Sequence, residues 1–370
     1  MGHVVDRLNV LNGHKKRQQL KNLFRHFVIC CEKAIALVIV RDGVDVSHLF
    51  KCIYLITKMD VSEVSATKQL LAAGFYGLSS IAIMMVNKSV LTNYKFPSAQ
   101  FLGLGQMIAA VFILMFGKFF KLVSFPDFHR STILKIQPLP LLYFGNLVCG
   151  LGGTKQISLP MFTVLRRFTI LLTMILEIYV LGKHPSKTIV ITVITMIIGS
   201  IIAASDDLAF DLIGYIFIFC NDIFTAANNV YIKKHLNTND LGKYGIIFYN
   251  CLFMIIPATL LLYYTGDFEK SMQFESWNDV NFLVLFVLSC TMGFILIFST
   301  TLCTAYNSAL TTTVVGCIKN IVITYIGMVF GGDYVFSWTN FVGINISVFG
   351  GILYSFVAFK AKQKKDSGPG

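Results

Sequence analysis

The chain has 370 residues, 55% of them hydrophobic, with a mean hydropathy of +0.69 and only 14% charged side chains. Soluble domains carry about 25% Asp, Glu, Lys and Arg, and the apolar residues here form runs of the roughly 20 residues that cross a bilayer, so the chain reads as a polytopic membrane protein. That excludes a nucleic-acid binder despite the net charge of +12, and nine scattered cysteines, most inside apolar runs, exclude a secreted disulfide scaffold.

Residues 1–68 carry eleven Lys or Arg and an apolar patch, Phe27 to Val40, interrupted by Glu32 and Lys33. They read as a basic cytosolic arm whose short amphipathic helix touches anionic lipid. No small-residue cleavage pattern follows the patch, which argues against a signal peptide; Met59 stands as an alternative start. Ten apolar runs follow: Gln69 to Leu91, Ala99 to Phe120, Leu139 to Lys155, Pro160 to Leu181, Thr188 to Ala204, Leu212 to Tyr231, Tyr244 to Tyr264, Phe282 to Cys303, Ala309 to Phe330 and Trp338 to Phe359. Alternating ten-residue segments of the strand-barrel kind are missing. The expected fold is an all-α membrane protein with ten transmembrane helices.

Lys and Arg distribution sets the expected orientation. The loops after the second, fourth and sixth runs, with the tail, hold Lys118, Lys121, Arg130, Lys135, Lys183, Lys187, Lys233, Lys234, Lys243, Lys360, Lys362, Lys364 and Lys365. The opposite side has Lys95 and Lys270, with Lys155 at a boundary, and carries Asp206, Asp207, Asp211, Asp267, Glu269, Glu275, Asp279 and Asp333. Both termini are therefore expected in the cytosol. The run from Thr163 to Gly182 lies over Thr313 to Gly332 at an offset of 150, and Gly199-Ser200 lies over Gly350-Gly351 after a slip of one residue. This predicts two inverted five-helix repeats, residues 69–204 and 205–360, ahead of a cytosolic tail at 361–370. Inverted repeats put substrate at the midplane between them.

Charges inside the runs single out the candidate site. A Lys or Arg near the centre of a span costs about 2.5 to 3.5 kcal/mol on insertion scales, so such residues face an interior cavity. Candidates are Lys88, beside Asn87 near the end of the first run, Arg166 and Arg167 in the fourth, and Lys319 midway along the ninth. Intramembrane acids are fewer, Glu177 and Asp222, and the cationic excess calls for an anion. Thr312, Gly316, Lys319 and Asn320 share one helical face at i, i+4, i+7 and i+8, with Gly316 permitting close approach. Tyr249 and Asn250 pair an aromatic platform with an amide able to read a base edge. Asn228 and Asn229 read as interhelical hydrogen-bonding groups, and Gly327 with Gly331 as a packing pair.

The seven histidines lie outside the runs or at their edges, and HExxH, a Walker-type loop and paired intramembrane carboxylates are lacking. Neither a metal site, nor a cofactor, nor an enzyme is expected. The sequons at Asn87 and Asn345 lie within runs and are expected to stay unmodified.

Three stretches resemble a known family: Pro160-Met161-Phe162-Thr163-Val164-Leu165-Arg166-Arg167-Phe168-Thr169-Ile170, Phe248-Tyr249-Asn250, and Asn307 through Asn320 with its Thr311-Thr312-Thr313 core. Together they are similar to the nucleotide-sugar transporters of the solute carrier 35 family, within the drug/metabolite transporter superfamily. The closest likeness is to the D branch of UDP-glucuronic acid and UDP-N-acetylgalactosamine transporters and fringe connection. The likeness covers about residues 68–360. It implies a ten-helix antiporter of the Golgi or endoplasmic reticulum membrane, exchanging a cytosolic UDP-sugar for lumenal UMP. It would set Tyr249 and Asn250 near the nucleobase, at the start of the FYNN motif of the GDP-mannose branch. Cys251 stands where that motif has its second Asn, which argues against guanine and for uridine. Lys319 and Asn320 fall where that branch has GALNK, here Gly316-Cys317-Ile318-Lys319-Asn320, which implies a phosphate role for Lys319.

The expected partners are a UDP-sugar (UDP-glucuronic acid, UDP-N-acetylglucosamine or UDP-N-acetylgalactosamine), UMP and the lipid bilayer, with no nucleic acid; a homodimer is left open. The alternatives are a phosphorylated-metabolite exchanger of the triose-phosphate type and a membrane scaffold or receptor.

Overall fold

The structure is a computed structural model that describes residues 66–156, 165–205, 212–238, 240–330 and 338–366. The expected basic arm up to residue 65, the start of the fourth run, the acids at 206, 207 and 211, and Gly331 and Asp333 lie outside the described residues. So do the side chains of Lys155, Asn320 and Gly327.

Among the described residues there are twelve α-helices and no strand. They are α1 Ala66–Lys88, α2 Ala99–Phe119, α3 Arg130–Ile136, α4 Leu139–Gln156, α5 Phe168–Leu181, α6 Lys187–Ala204, α7 Leu212–Thr238, α8 Gly242–Thr265, α9 Asp267–Met272, α10 Val280–Tyr306, α11 Ala309–Phe330 and α12 Trp338–Asp366. Every apolar run falls on one of the ten long helices, while α3 and α9 lie in connections. Helix starts follow side-chain acceptors: Ser98 accepts the Phe101 N–H, Ser186 that of Ile189 and Asp279 that of Asn281. Gly182 and Gly266 end α5 and α8 at φ of 64° and 71°, the left-handed geometry that glycine tolerates.

Three boundaries depart from the sequence expectation, one of them the end of α12, which runs on past Phe359 to Asp366. In the described part of the fourth run, Leu165 is helical and α5 starts at Phe168, because Arg166 and Arg167 between them form a turn whose carbonyls accept the N–H groups of Thr169 and Ile170 in i to i+3 bonds. Helix α7 runs on past Tyr231 to Thr238, since the buried Ile232 and Lys233 keep the chain packed beyond the apolar run.

Five segments are long and apolar enough to cross a membrane: Thr67–Asn93, Ala99–Phe119, Gly242–Thr265, Val280–Tyr306 and Phe341–Ala358. Leu139–Gly153, Phe168–Leu181, Lys187–Ala203 and Ala309–Lys319 are apolar but shorter. Helix α7 is continuous but carries Asp222, Lys233 and Lys234 among its apolar residues. Phe112, Phe119, Tyr179, Ile256 and Tyr264 point outward, from 66% to 90% exposed. Such a surface suits lipid rather than water.

Helix α12 packs on α6, α7 on α4 and α5, α10 on α1 and α2, α8 on α2 and α4, and α11 on α5 and α1. The α6–α12 contact is backbone to backbone. A Cβ on Gly199 would sit 2.6 Å from the Gly343 carbonyl oxygen, and one on Gly343 2.3 Å from the Ala203 nitrogen. At the acidic end of the bundle Phe96 meets Phe101, Phe274, Trp277, Phe282 and Phe286 at centroid distances of 5.2 to 5.9 Å, sealing the connections that precede α2 and α10.

Candidate substrate-binding site

The site is built on α11. Its three consecutive threonines point roughly 100° apart around the helix, and each binds a different neighbour. Thr311 shares a 3.0 Å hydrogen bond with the Tyr354 hydroxyl of α12. Thr312 accepts from Thr304 of α10 at 3.1 Å, and Thr313 meets Thr173 of α5 at 3.3 Å and Asn229 of α7 at 3.2 Å. The expectation that Asn229 serves interhelical bonding is met, and Thr312 is spent on packing. Two turns further on, the Lys319 ammonium lies 5.7 Å from the centroid of the Tyr76 ring of α1. A Cβ at Gly316 would stand 3.0 Å from the Tyr76 hydroxyl, so the close approach that Gly316 permits is that of Tyr76.

The arginine pair lies in the turn that precedes α5. The Arg166 guanidinium donates to Thr225 at 3.2 Å, and its Nε lies 4.0 Å from the Asp222 carboxylate. Asp222, 1% exposed, accepts a 2.6 Å hydrogen bond from Thr169. Thr225 also accepts from Asn146 at 2.6 Å and donates to the Asn221 carbonyl, while Asn221 donates to the Asn146 carbonyl. This network ties α4, α5 and α7 together. Glycines on α4 make it possible: a Cβ on Gly145 would overlap the Phe224 ring at 2.7 Å, and one on Gly152 the Phe217 ring at 2.6 Å. Arg166 and Asp222 meet at the contact of α5 with α7, and α11, which carries Lys319, packs against both helices. A cluster of like charges in a low-dielectric interior is held together best by a bound anion.

The remaining candidates lie elsewhere or play other parts. Asn87 accepts hydrogen bonds from Ser289 at 2.6 Å and Gln106 at 3.3 Å, linking α1 to α10 and α2, and Lys88 beside it is exposed at the end of α1. Tyr249 is 1% exposed and donates to the Pro126 carbonyl at 2.7 Å, with its ring near Phe125, Phe128, Phe248 and Phe253. It secures the connection after α2, where Lys118 lies over the Phe125 ring and, through a 2.6 Å hydrogen bond, holds the Asp127 carboxyl below the usual carboxylate range. Asn250 points differently. Its amide oxygen, like that of Asn228, is buried and takes no hydrogen bond among the described residues. Helix α11 reaches Asn320, whose side chain lies outside the described residues.

Sequence reasoning missed Tyr76, Thr225 and Asn146, and left Asp222 outside the site. Tyr76 looks like any core aromatic in sequence. The signal that was available lay in Asn146, Asn221, Asp222 and Thr225, polar residues inside apolar runs that only the α4–α7 packing brings together.

Residues 67–355 match the Triose-phosphate Transporter family. The chain is 56% identical over 294 residues to the UDP-sugar transporter sqv-7 of Caenorhabditis elegans, covering 79% of this chain and 89% of that one. It is 55% identical over 299 residues to the UDP-sugar transporter UST74c of Drosophila melanogaster, covering 81% and 80%. With the human Nucleotide sugar transporter SLC35D2 the identity is 53% over 300 residues, covering 81% and 89%. A solved structure 12% identical superimposes with a TM-score of 0.53 over 78% of this chain and 98% of that one, a likeness of fold alone. These relatives bear out the resemblance drawn from the three sequence motifs, and the chain belongs to the triose-phosphate transporter family.

Proposed function

We propose that the protein is a UDP-sugar antiporter of the Golgi or endoplasmic reticulum membrane, exchanging a cytosolic UDP-sugar for lumenal UMP by alternating access. The observation that carries this reading is the placement of three cations, Lys319 on α11 and Arg166 and Arg167 just before α5, on elements packed against one another inside an apolar bundle. A nucleoside diphosphate sugar brings two negative charges on its diphosphate, and UMP brings a similar charge, so one cluster serves both directions. The uridine part rests on the UDP-sugar transporters UST74c and sqv-7, relatives at 55% and 56% identity. Asn250, with Asn320 and Asn228 as further amides, is suited to the base and ribose, and Cys251 where the GDP-mannose branch has Asn favours uridine over guanine. Lys88 lies at the acidic end, where it attracts the anion on the lumenal side.

Ten spans in two inverted repeats are supported by the helix packing. Laying α1, α2, α4, α5 and α6 over α7, α8, α10, α11 and α12 carries α1–α10 onto α7–α4, α2–α10 onto α8–α4 and α5–α7 onto α11–α1. The pairs α2–α8, α5–α11 and α6–α12 map onto themselves. That is the pattern of a pseudo-two-fold axis in the membrane plane, with both termini in the cytosol as the basic connections require.

The family's description favours a second reading, a phosphorylated-metabolite exchanger without base readout. Purified protein in UMP-loaded liposomes separates the two. Labelled UDP-glucuronic acid, UDP-N-acetylglucosamine, UDP-N-acetylgalactosamine and GDP-mannose are offered in turn; uptake of UDP-sugars over GDP-mannose is expected. Uptake of triose phosphates in place of all four would select the second reading.

A further inference from the structure

We infer that Lys233 is a latch that holds the cytosolic side of the bundle shut, and that Lys88 is its counterpart on the lumenal side. The inference rests on the two-repeat antiporter reading above.

The cytosolic ends of several helices converge on the junction between α10 and α11. The Lys233 ammonium of α7, 7% exposed, donates to the carbonyls of Thr304 and Ala305 in the last turn of α10, both at 2.8 Å. The first repeat grips the same junction from two sides. Gln69 of α1 donates to the Tyr306 carbonyl at 2.7 Å and Asn307 donates back to the Gln69 carbonyl at 3.2 Å, while Glu177 of α5 accepts the Leu310 N–H at 3.2 Å. A substrate entering between the repeats from the cytosol has to part these groups. Hydrogen bonds from a charged donor are roughly twice as strong as neutral ones, and Lys233 places two of them at the helix end whose dipole favours a cation.

The lumenal end is arranged differently. When the repeats are laid over one another, the packing of α7 on α10 and α11 corresponds to α1 on α4 and α5. Helix α7 packs on both of its partners, whereas no comparable packing joins α1 to α4 or α5 among the described residues. Two repeats of one architecture held in unlike arrangements are what alternating access requires, and the state that faces the other way exchanges their roles. At an offset of 145, Lys88 lies over Lys233, Ser80 over Thr225 and Leu91 over Leu236. Lys88 ends α1 and is exposed. In the exchanged state it takes the last turn of α4, where carbonyls without a helical partner attract a cation, as Lys233 takes the last turn of α10. One lysine thus stabilises each closed side.

The test follows hydrogen exchange of full-length protein in lipid nanodiscs with saturating UMP, which lets the bundle visit both states. Exchange is read at residues 304–311 on the cytosolic side and at residues 86–93 on the lumenal side. Lys233→Met is expected to speed exchange at 304–311 and to slow it at 86–93, each by at least about threefold, because the population moves toward the lumen-closed state. Lys88→Met should do the reverse, and Lys233→Arg, which keeps a charged donor, should stay near wild type. A merely structural role for Lys233 would speed exchange at the junction without protecting the lumenal end. That outcome overturns the inference, as does an unchanged pattern in Lys88→Met, whose exposed side chain can be replaced without disturbing the fold; if Lys233→Met does not fold, Lys88→Met decides. Wild-type exchange that is indifferent to UMP at both ends would refute the antiporter reading instead.

Discussion

The ammonium of Lys319 lies 5.7 Å from the centroid of the Tyr76 ring, with the Tyr76 hydroxyl over the Gly316 backbone one turn below. A cation over an aromatic face is stabilised by about 0.5 to 2 kcal/mol when desolvated, so Tyr76 holds Lys319 in place on the proposed phosphate site. Gly316→Ala places a methyl 3.0 Å from the Tyr76 hydroxyl but 3.9 Å from the ring carbon that bears it. It should therefore raise the KM for UDP-sugar in the wild type and have little effect in a Tyr76→Phe background. Uptake kinetics of the two single variants and the double variant check this.

Tyr249 and Asn250 are neighbours in sequence with separable roles. Tyr249→Phe removes the 2.7 Å bond to the Pro126 carbonyl, which should reduce stability by about 1 kcal/mol and leave the preference for UDP-sugar over GDP-mannose unchanged. Asn250→Ala should leave the melting temperature near wild type and narrow that preference. Thermal melts and competition uptake of the two variants distinguish these outcomes.

The junction between α10 and α11 is held by two buried charges. Lys233 donates to the carbonyls of Thr304 and Ala305 at 2.8 Å, satisfying the end of α10, and Glu177 accepts the Leu310 N–H at 3.2 Å at the start of α11. Each complements its helix dipole. Lys233→Met strands two carbonyls and should destabilise by about 1 to 3 kcal/mol, whereas Glu177→Gln keeps an acceptor and should be milder. Melting temperatures in detergent rank the two.

Backbone contact between α6 and α12 leaves no room for a side chain. Gly343→Val meets the Ala203 nitrogen and the Gly199 carbonyl oxygen, which cannot retreat as a flexible side chain would. A loss of 3 kcal/mol or more, on the order of the severe end of overpacking, should appear as failure to recover monodisperse protein. Gly103→Val, with open space at its Cβ, is the control.

The helices were largely legible because apolar runs bounded by charge and by Pro or Ser report a lipid-facing helix directly. Ser98 and Ser186 cap α2 and α6 where those runs begin. The site was legible only where a residue is costly on its own account. Lys319, Arg166 and Arg167 announce themselves by charge, whereas Tyr76 has no feature separating it from the other buried aromatics. Thr312 and Gly316 share a face with Lys319, but the same spacing serves helix packing, and there the structure uses both. Tyr249 looked like a base platform because aromatics do stack on bases; its surroundings on the connection after α2 depend on a fold that spacing alone does not contain.

Obligate exchange is the central claim, since a cationic cluster with no anion resists reorientation through the bilayer. The most direct measurement compares initial uptake of labelled UDP-N-acetylglucosamine into liposomes containing UMP and into empty ones, for the wild type and for Lys319→Ala. The account predicts uptake at least about tenfold faster against internal UMP, with both rates falling to the protein-free background in the variant. Equal uptake into empty and loaded liposomes, or full activity in Lys319→Ala, would contradict it.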